Sequence, residues 1–367
     1  MSAMTRRLGT SMVVGLLVLA GAAACGDSET PPSTRTTTAS PSTTTSPSPT
    51  PEPLLDGPTV VAVRQLSDGS RVLVAHDLVD GTTRQLTTLQ REDHPTLDAA
   101  GTSVVVEQYT GTADPRPWVT SGTASHLVQI NLDTGGHGQL TETSEGVFDH
   151  APIWNRPFDG WVYFIRSGPA VETAALWRVD PATGNVGQVP LNAVQEAPNG
   201  AGISQFVLEP HGRAAWVQAD WCDDTGACGG AHRLDLVNGT VSRHAFDPAV
   251  GGNLAWTPDG AWLAYSSNLG GAPGWPELTI TPWPGGEPRT LLKMPEGAAL
   301  FGQVGWQPDG SVVVLQTRSS SSSEGSETTQ PEQRILLVDT TDGSSTPIGP
   351  SSVSDLSFDV WAPPAVS

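Results

Sequence analysis

The chain has 367 residues, with 38 acidic and 18 basic side chains and a formal charge of −20 at pH 7. Nucleic-acid binding needs a cationic face, and docking on anionic lipid through protein charges needs basic clusters, so this composition argues against both. Lys293 is the one lysine in the sequence, which argues against chemistry that runs through a lysine Schiff base.

The first 24 residues are predicted to be an export signal rather than part of the fold. Two arginines precede an apolar run, 12–24, that is too short for a permanent membrane helix. The run ends in GAAAC, which resembles a bacterial lipobox with Ala22 where that motif usually has leucine. The resemblance implies that Cys25 is lipidated and becomes the mature N terminus. The alternative is an ordinary signal peptide that is cleaved after Ala24.

Residues 25–56 are predicted to form the lipid anchor and a disordered tether. Residues 27–53 are almost all Ser, Thr and Pro, so they have little apolar surface with which to offset the entropy of folding. An extended chain of this composition rises about 3.1 Å per residue, which gives a reach of roughly 80 Å. The folded domain is predicted to be 57–362, followed by a short tail at 363–367.

The folded domain repeats one hairpin pattern. NLAWTPDGAWLAYSS begins at Asn253 and QVGWQPDGSVVVLQT begins at Gln303, and each predicts a strand, a tight turn and a second strand. Weaker copies begin at residues 94, 150 and 204, and a half copy begins at residue 355. A period of about 50 residues with strand patterning is typical of propeller blades. The large apolar residue of the first strand recurs at Leu97, Trp154, Leu208, Trp256, Trp306 and Phe358.

Each repeat continues with a loop and a second strand pair, which gives four strands, a to d, from the propeller axis outward. The C-terminal half copy supplies only strand a, whereas residues 58–89 supply strands b, c and d without an a. Together these two pieces make one blade and close the ring without an open edge. We therefore predict an all-β, six-bladed propeller with four antiparallel strands per blade.

Two of the hairpins carry a family resemblance. WTPDGAWLAYSS, from Trp256, and WQPDGSVVVLQT, from Trp306, resemble the PD40 repeat of TolB-type six-bladed propellers, a WD40-like repeat. QLT at 85–87 and 139–141 is similar to the end of that family's blades. The α/β domain that precedes the TolB propeller is not expected, because the tether leads directly into strand b. The resemblance implies a bacterial, and we expect actinobacterial, lipoprotein whose propeller binds protein partners in the envelope and is not an enzyme.

Cys222 and Cys228 lie in the segment DWCDDTGACGG. In an exported protein such a pair is predicted to form a disulfide, which would stabilise the fold by about 2 kcal/mol in the chain-entropy model. The alternatives are free thiols or a metal site with His232, although the cysteine spacing is not that of a zinc motif. No cofactor is expected.

Propeller geometry places the a–b and c–d turns on one face and the b–c and d–a connections on the other. The b–c loops are the long ones, and long loops on one face of a rigid scaffold are typical of binding sites. Three of these loops carry a tryptophan: Trp118, Trp221 and Trp275. Tryptophan is favoured at interface anchors, although each of these side chains could instead fold back over the core. The Ser-rich segment 319–332 is interpreted as a disordered insertion.

Strand a also starts on the long-loop face, and a polar residue stands at or near its start in every repeat. The set is His94, His150, Gln205, Asn253, Gln303 and Asp355. These side chains are predicted to ring the mouth of the central channel and to offer a site for a small ligand. A metal site is less well supported because much of the ring is amide. The alternative is that they bond to channel water and to neighbouring backbone.

The leading hypothesis is an exported interaction module, lipid-anchored to the outer face of the cytoplasmic membrane. Because the tether joins the propeller on the short-turn side, the long-loop face is predicted to point away from the membrane and to bind an envelope or extracellular protein. A small-ligand or metal sensor at the channel mouth is the second hypothesis. The sequence contains no GxSxG, HExxH or P-loop motif, so an enzyme ranks third.

Overall fold

The structure is a computed structural model. It describes residues 55–66, 68, 70–89, 91–110, 124–168, 174–191, 202–219, 231–243, 254–267, 277–293, 300–307, 310–318, 332–349 and 354–362. The chain divides into Met1–Thr50, of which no residue is described, and Pro51–Ser367, which holds every strand.

The described residues form 24 β-strands and contain no helix, so none of them forms a helix that is long and apolar enough to cross a membrane. The strands are β1 Thr59–Gln65, β2 Arg71–Asp77, β3 Thr83–Leu89, β4 Glu92–Leu97, β5 Ser103–Thr110, β6 Ala124–Asn131, β7 His137–Gln139, β8 Phe148–Trp154, β9 Val162–Ser167, β10 Ala175–Val179, β11 Val186–Gln188, β12 Ile203–Leu208, β13 Ala214–Ala219, β14 Ala231–Asp235, β15 Val241–Arg243, β16 Leu254–Trp256, β17 Trp262–Ser267, β18 Glu277–Pro282, β19 Arg289–Lys293, β20 Leu300–Trp306, β21 Val312–Arg318, β22 Glu332–Val338, β23 Ser345–Ile348 and β24 Ser354–Trp361.

The strands pair in antiparallel sets of four, which we number as blades. Blades 1 to 5 are β4–β7, β8–β11, β12–β15, β16–β19 and β20–β23. Blade 6 has the order β24-β1-β2-β3, with Thr59 paired to Trp361 and Gln65 paired to Ser354. The predicted closing blade, made from the C-terminal strand a and the N-terminal strands b to d, is therefore confirmed. Blades 1 and 2 also share one parallel bridge, Ser125 to Phe148, which joins them into an eight-stranded sheet.

The hydrophobic core lies between the blades rather than in one central cluster. Val61 of blade 6 packs with Leu97 of blade 1, and Val105 of blade 1 packs with Phe164 of blade 2. Corresponding clusters join blades 2 and 3, 3 and 4, 4 and 5, and 5 and 6. Six shared clusters around a closed circuit are consistent with a six-bladed ring. Inner strands such as β1 and β2 are apolar on both sides because both faces of the sheet are covered there by a neighbouring blade, whereas outer strands such as β3 and β7 are largely exposed.

The strand ends assign every connection to one of two faces. The turn face carries the a–b turns, 98–102, 155–161, 209–213, 257–261 and 307–311, and the c–d turns, 78–82, 132–136, 180–185, 236–240, 283–288 and 339–344. The loop face carries the b–c loops, 66–70, 111–123, 168–174, 220–230, 268–276 and 319–331, and the d–a connections, 90–91, 140–147, 189–202, 244–253, 294–299 and 349–353. The predicted division into a short-turn face and a long-loop face is confirmed.

Short carboxylates fix the turns on the turn face. In the PDG hairpin, Asp259 Oδ1 accepts hydrogen bonds from Ala261 N at 2.9 Å and from Thr257 Oγ1 at 2.5 Å. Gly260 takes the left-handed conformation, with φ of 72°, that the turn requires. The c–d turns use the same device, since Asp77 accepts from Val79 N and Asp235 accepts from Val237 N. Part of the acidic composition is therefore structural.

Candidate functional site at the start of the inner strands

The inner strands are bulged where they leave the loop face. In blade 1 the register shifts between Asp93 and Thr96, and in blade 2 it shifts between His150 and Ile153. Similar shifts occur in β12, β20 and the β24–β1 pair. A bulge adds one residue to a strand and changes the direction of nearby side chains, and bulges are common beside functional sites. His94, His150, Gln205, Gln303 and Asp355 therefore lie at or beside these bulges.

Two of these bulges place a side-chain-bearing residue in the left-handed region. His94 has φ of 48° and Ala151 has φ of 52°, and they are the two non-glycine residues with positive φ in the described part of the chain. Each precedes a proline, Pro95 or Pro152. Such backbone is costly for a residue with a Cβ and is found preferentially at functional sites. Blades 1 and 2 therefore form the unusual sector of the ring.

The His94 imidazole pairs with a buried carboxylate. Its Nδ1 lies 3.1 Å from Glu107 Oε2, and the Glu107 side chain is 1% exposed whereas the His94 side chain is 45% exposed. Glu107 stands on β5 opposite Asp93, so the antiparallel register of β4 and β5 brings the two groups together. The second oxygen, Glu107 Oε1, is buried and has no hydrogen-bond partner among the described residues.

Asp93 forms a second acidic group beside His94. The Ser357 hydroxyl of β24 donates a hydrogen bond to Asp93 Oδ1, and the His94 backbone N–H donates to both Ser357 Oγ and Asp93 Oδ1 at 2.9 Å. Arg71 Nη1 lies 3.6 Å from Asp93 Oδ2. These contacts join blade 1 to blade 6 and hold the backbone of the bulge in place.

Charges in this cluster shift the pKa values of its members. Burial by itself lowers the pKa of His94, but the Asp93 and Glu107 carboxylates outweigh it and raise that pKa to about 9. Burial, followed by the Glu107 and Asp93 charges, raises the pKa of Tyr109. The Tyr109 hydroxyl is thus near Glu107, but it forms no hydrogen bond with Glu107 Oε1. His94 is therefore both partly exposed and partly desolvated, as we expect for one of a set of side chains that line a channel.

His150 lies close to this cluster on β8. Burial lowers its pKa, with smaller effects from Glu107, His94 and Asp149, so His150 is neutral at pH 7 while His94 is charged. The preceding Asp149 is fully buried and accepts two hydrogen bonds from Arg166, at 2.6 and 2.7 Å. Arg166 in turn lies 4.8 Å from the centre of the Trp177 ring. The acidic group next to His150 is therefore already paired.

Of the other predicted ring residues, the structure describes the side chains of Gln205 and Gln303, and neither forms a hydrogen bond with His94 or His150. Gln303 bonds with the backbone N and O of Phe358 in the next blade, so for Gln303 the predicted alternative, a bond to neighbouring backbone, is what the structure shows. Gln205 is exposed on β12 and forms no side-chain hydrogen bond with another described residue. Asp355 is described in its backbone alone, and Asn253 lies outside the described residues. No group of His, Cys, Asp or Glu that could hold a metal ion occurs in the described part.

Sequence reasoning missed Glu107, the residue that distinguishes this sector. A usable signal was present, because Glu107 follows three valines in β5 at a position whose alternation with Val105 points it inward. Charged residues are rarely buried without a partner, so an inward glutamate predicts a nearby base. The partner is His94, one strand away.

The remaining site predictions fall outside the described residues. These are Cys25, the Cys222–Cys228 disulfide and the loop tryptophans Trp118, Trp221 and Trp275. They stay predictions.

Comparisons with known proteins agree with the fold. Scans against protein families and against curated proteins give no match. Among solved structures, TolB from Acinetobacter baumannii matches with a TM-score of 0.56 at 15% identity, over 82% of this chain and 66% of TolB. Hydrazine synthase from Kuenenia stuttgartiensis matches with a TM-score of 0.56 at 12% identity, over 84% of this chain and 47% of that one. The chain thus spans less than two thirds of either protein.

An oligogalacturonate lyase solved in complex with manganese also matches, with a TM-score of 0.50 at 15% identity, over 77% of this chain and 75% of the lyase. At such identities the likeness concerns the fold alone. The protein has a β-propeller fold similar to that of TolB, which is the fold that the PD40-like repeats predicted. Proteins with this fold include enzymes as well as TolB, so the fold does not decide between catalysis and binding.

Proposed function

We propose that this protein is a non-catalytic binding module that presents the loop face of its propeller to a protein partner. The proposal rests on the unequal distribution of connections between the two faces. The a–b and c–d turns are short and fixed by carboxylate bonds, whereas the loop face carries long segments such as 111–123 and 319–331. Connections of varied length on a rigid ring favour recognition of a partner, and such recognition requires no catalytic group. The interaction role of TolB-type propellers adds support by analogy.

Site-specific photocrosslinking in cells tests which face binds. A photoreactive residue is introduced at Gln205, which is exposed on β12 next to the loop face, and at Thr110, which ends β5 there. The matched controls are Val79 and Val237, which are 79% and 62% exposed on the turn face. We expect discrete adducts from the loop-face positions only. Equal adducts from all four positions, or adducts from the turn face alone, would contradict the proposal.

The loop tryptophans test the predicted anchors. Replacing Trp118, Trp221 and Trp275 by serine is expected to abolish the loop-face adducts, because truncating an aromatic anchor typically costs an interface more than 2 kcal/mol. Trp262 is the suitable control, since it is 39% exposed and follows an a–b turn. Trp283 is unsuitable because its ring packs 5.0 Å from that of Trp216.

We further propose that the protein is exported and anchored by a lipid on Cys25. The lipobox-like segment and the Ser/Thr/Pro-rich tether support this proposal. β1 begins on the turn face, so a tether attached there would leave the loop face directed away from the membrane. Fractionation of cells that express Cys25→Ala tests the anchor. Release of the variant into the soluble fraction is expected, and unchanged membrane association would refute it.

A further inference from the structure

One nitrogen of the His94 ring forms a hydrogen bond within the protein, and the other is available for a ligand. Nδ1 faces the buried Glu107 carboxylate at 3.1 Å, and an ionised carboxylate can only accept, so Nδ1 carries the proton. Nε2 forms no hydrogen bond with any described residue. The His94 side chain is 45% exposed, so part of the ring is accessible.

The surroundings of His94 form a built site rather than a lone histidine. Glu107 is 1% exposed, and its Oε1 has no hydrogen-bond partner among the described residues. Asp93 is fixed by Ser357 from blade 6, and the left-handed backbone at His94 is held by the same contacts. A strained residue that is fixed by buried polar groups is the arrangement expected of a preorganised contact.

The titratable groups that face His94 come from three neighbouring strands and from its own. Asp93 lies on β4, Glu107 and Tyr109 on β5, Arg71 on β2 and His150 on β8, while β24 contributes the uncharged Ser357 hydroxyl. Asp93 and Glu107 together raise the pKa of His94 to about 9, so at pH 7 Nε2 bears a proton and donates. A group bound there must therefore supply a hydrogen-bond acceptor.

We propose that His94 is a carboxylate-binding residue near the loop-face end of β4, where Nε2–H donates to one oxygen of an acidic ligand group and Glu107 holds the ring through Nδ1. A singly charged carboxylate fits better than a phosphate dianion, because Asp93 and Glu107 repel the second charge. Charge-assisted hydrogen bonds of this kind are about twice as strong as neutral ones. The site is independent of the protein partner proposed above.

Histidine-detected NMR of the full chain tests this site with acetate and its uncharged isostere acetamide as probes. Acetate is expected to shift the His94 ring signals in a saturable way at pH 7, and acetamide is not. His94→Asn supplies the assignment and the control, since asparagine tolerates the left-handed backbone, and it should weaken acetate binding about tenfold or more. Equal shifts from both probes, or no saturable shift in the folded wild type, would overturn the proposal.

Glu107→Gln tests the supporting role without removing the ring. In the wild type, acetate binding should be lost as the pH rises through about 9, whereas in the variant the loss should move down toward pH 6.5, the ordinary pKa of histidine. An unchanged pH profile would show that Glu107 does not act on His94.

Acetyl-Gly-Gly with a free or an amidated C terminus then separates two sources of the carboxylate. Tighter binding of the free peptide than of acetate indicates a peptide terminus, and weaker binding indicates a small acid.

Discussion

Arg156 and Asp359 form an ion pair although they stand 203 residues apart in the sequence. Arg156 lies in an a–b turn of blade 2, and Asp359 lies in the closing strand of blade 6. Blade 1 is joined to the same pair, because Arg156 Nε donates to Leu97 O at 2.6 Å and Leu97 N donates to Asp359 Oδ2 at 2.8 Å. One pair of side chains thus ties three blades together where the ring closes.

Removing this pair is expected to destabilise the ring. Asp359→Ala removes the acceptor of Arg156 Nη2 and of Leu97 N, and both side chains of the pair are largely buried, at 24% and 22% exposed. We expect a loss of about 1–3 kcal/mol in the free energy of unfolding, measured by urea denaturation. Lys293→Ala is the matched control, because its pair with Glu277 is exposed at 67% for Lys293 and should contribute less than about 1 kcal/mol. Equal losses in the two variants would contradict this role of Asp359.

Gly212 is predicted to be required because two blades meet at its α-carbon. Its φ is 63°, and a Cβ placed there would collide with Asn155 Oδ1 and lie 2.8 Å from Phe158 Cβ of the preceding blade. Asn155 already donates a hydrogen bond to Gly212 O at 2.8 Å, so it has little room to move. Gly212→Ala should therefore lose about 1–2 kcal/mol to the left-handed backbone and about 1–3 kcal/mol more to the collision.

Gly184→Ala separates these two costs. Gly184 has a similar φ of 71°, but a Cβ placed there meets nothing within 4 Å. Its variant should show the backbone cost alone in the same urea experiment. If Gly212→Ala were no more destabilising than Gly184→Ala, the close approach of the two blades at this point would be refuted.

The parts of this fold that are local in sequence were predictable, and those that depend on blade packing were not. The PDG turn follows from the φ that Gly260 supplies and the bonds that Asp259 makes, both within a few residues. The closing blade followed from counting strands at the two ends. The position of Gln303 in the repeat predicts a place at the channel mouth, but its bond to Phe358 depends on how two blades pack, which a single repeat does not reveal.

The same limit explains the candidate site. His94 was identified because it stands at a repeated position, but its partner Glu107 belongs to another strand and breaks the apolar pattern at one point only. The left-handed backbone at His94 and Ala151 was not anticipated either. A residue before proline is expected to be extended, and here the bulge and its inter-blade bonds override that preference.

Two histidines are predicted to make stability depend on pH in opposite directions. The pKa of His76 is lowered to about 3 by burial and then by Arg64, so the folded state resists its protonation. Because an unfolded histidine takes up a proton near pH 6.5, stability falls as the pH drops from 6.5 toward 3. The pKa of His94 is raised to about 9, so its contribution is complete below pH 6.5 and is lost as the pH rises through 9.

Denaturation midpoints measured between pH 4 and pH 10 check both effects. In His76→Gln the acid-side loss should be smaller than in the wild type, because a glutamine takes up no proton on unfolding. In His94→Asn the loss of stability above pH 7 should be smaller than in the wild type, because asparagine carries no proton that is lost as the pH rises. Parallel curves for the wild type and either variant would show that the histidine in question contributes nothing to the pH dependence.

The pairing of Thr59 with Trp361 predicts that the chain can be circularly permuted. Trp361 ends strand a of blade 6 and Thr59 begins strand b, at the position where the other blades have an a–b turn. Joining residue 362 to residue 58 through a short Asp-Gly turn, with new ends at 90–91, would make every blade continuous. The permuted domain should fold and remain within about 2 kcal/mol of residues 55–362, because ring closure between blades 6 and 1 still has the shared core and the Ser357 and Asp359 bonds.

A second permutant supplies the control for this experiment. New ends placed inside the turn 257–261 would cut the hairpin of β16 and β17 and lose the Thr257 and Asp259 bonds, with the same joint at residues 362 and 58. Because β16 has three residues, it should detach more readily than an intact blade, and the unfolding transition should broaden. If the permutant opened at 90–91 failed to fold while this one folded, the ring would require one blade whose strands come from both ends of the chain, because both permutants share the continuous blade 6.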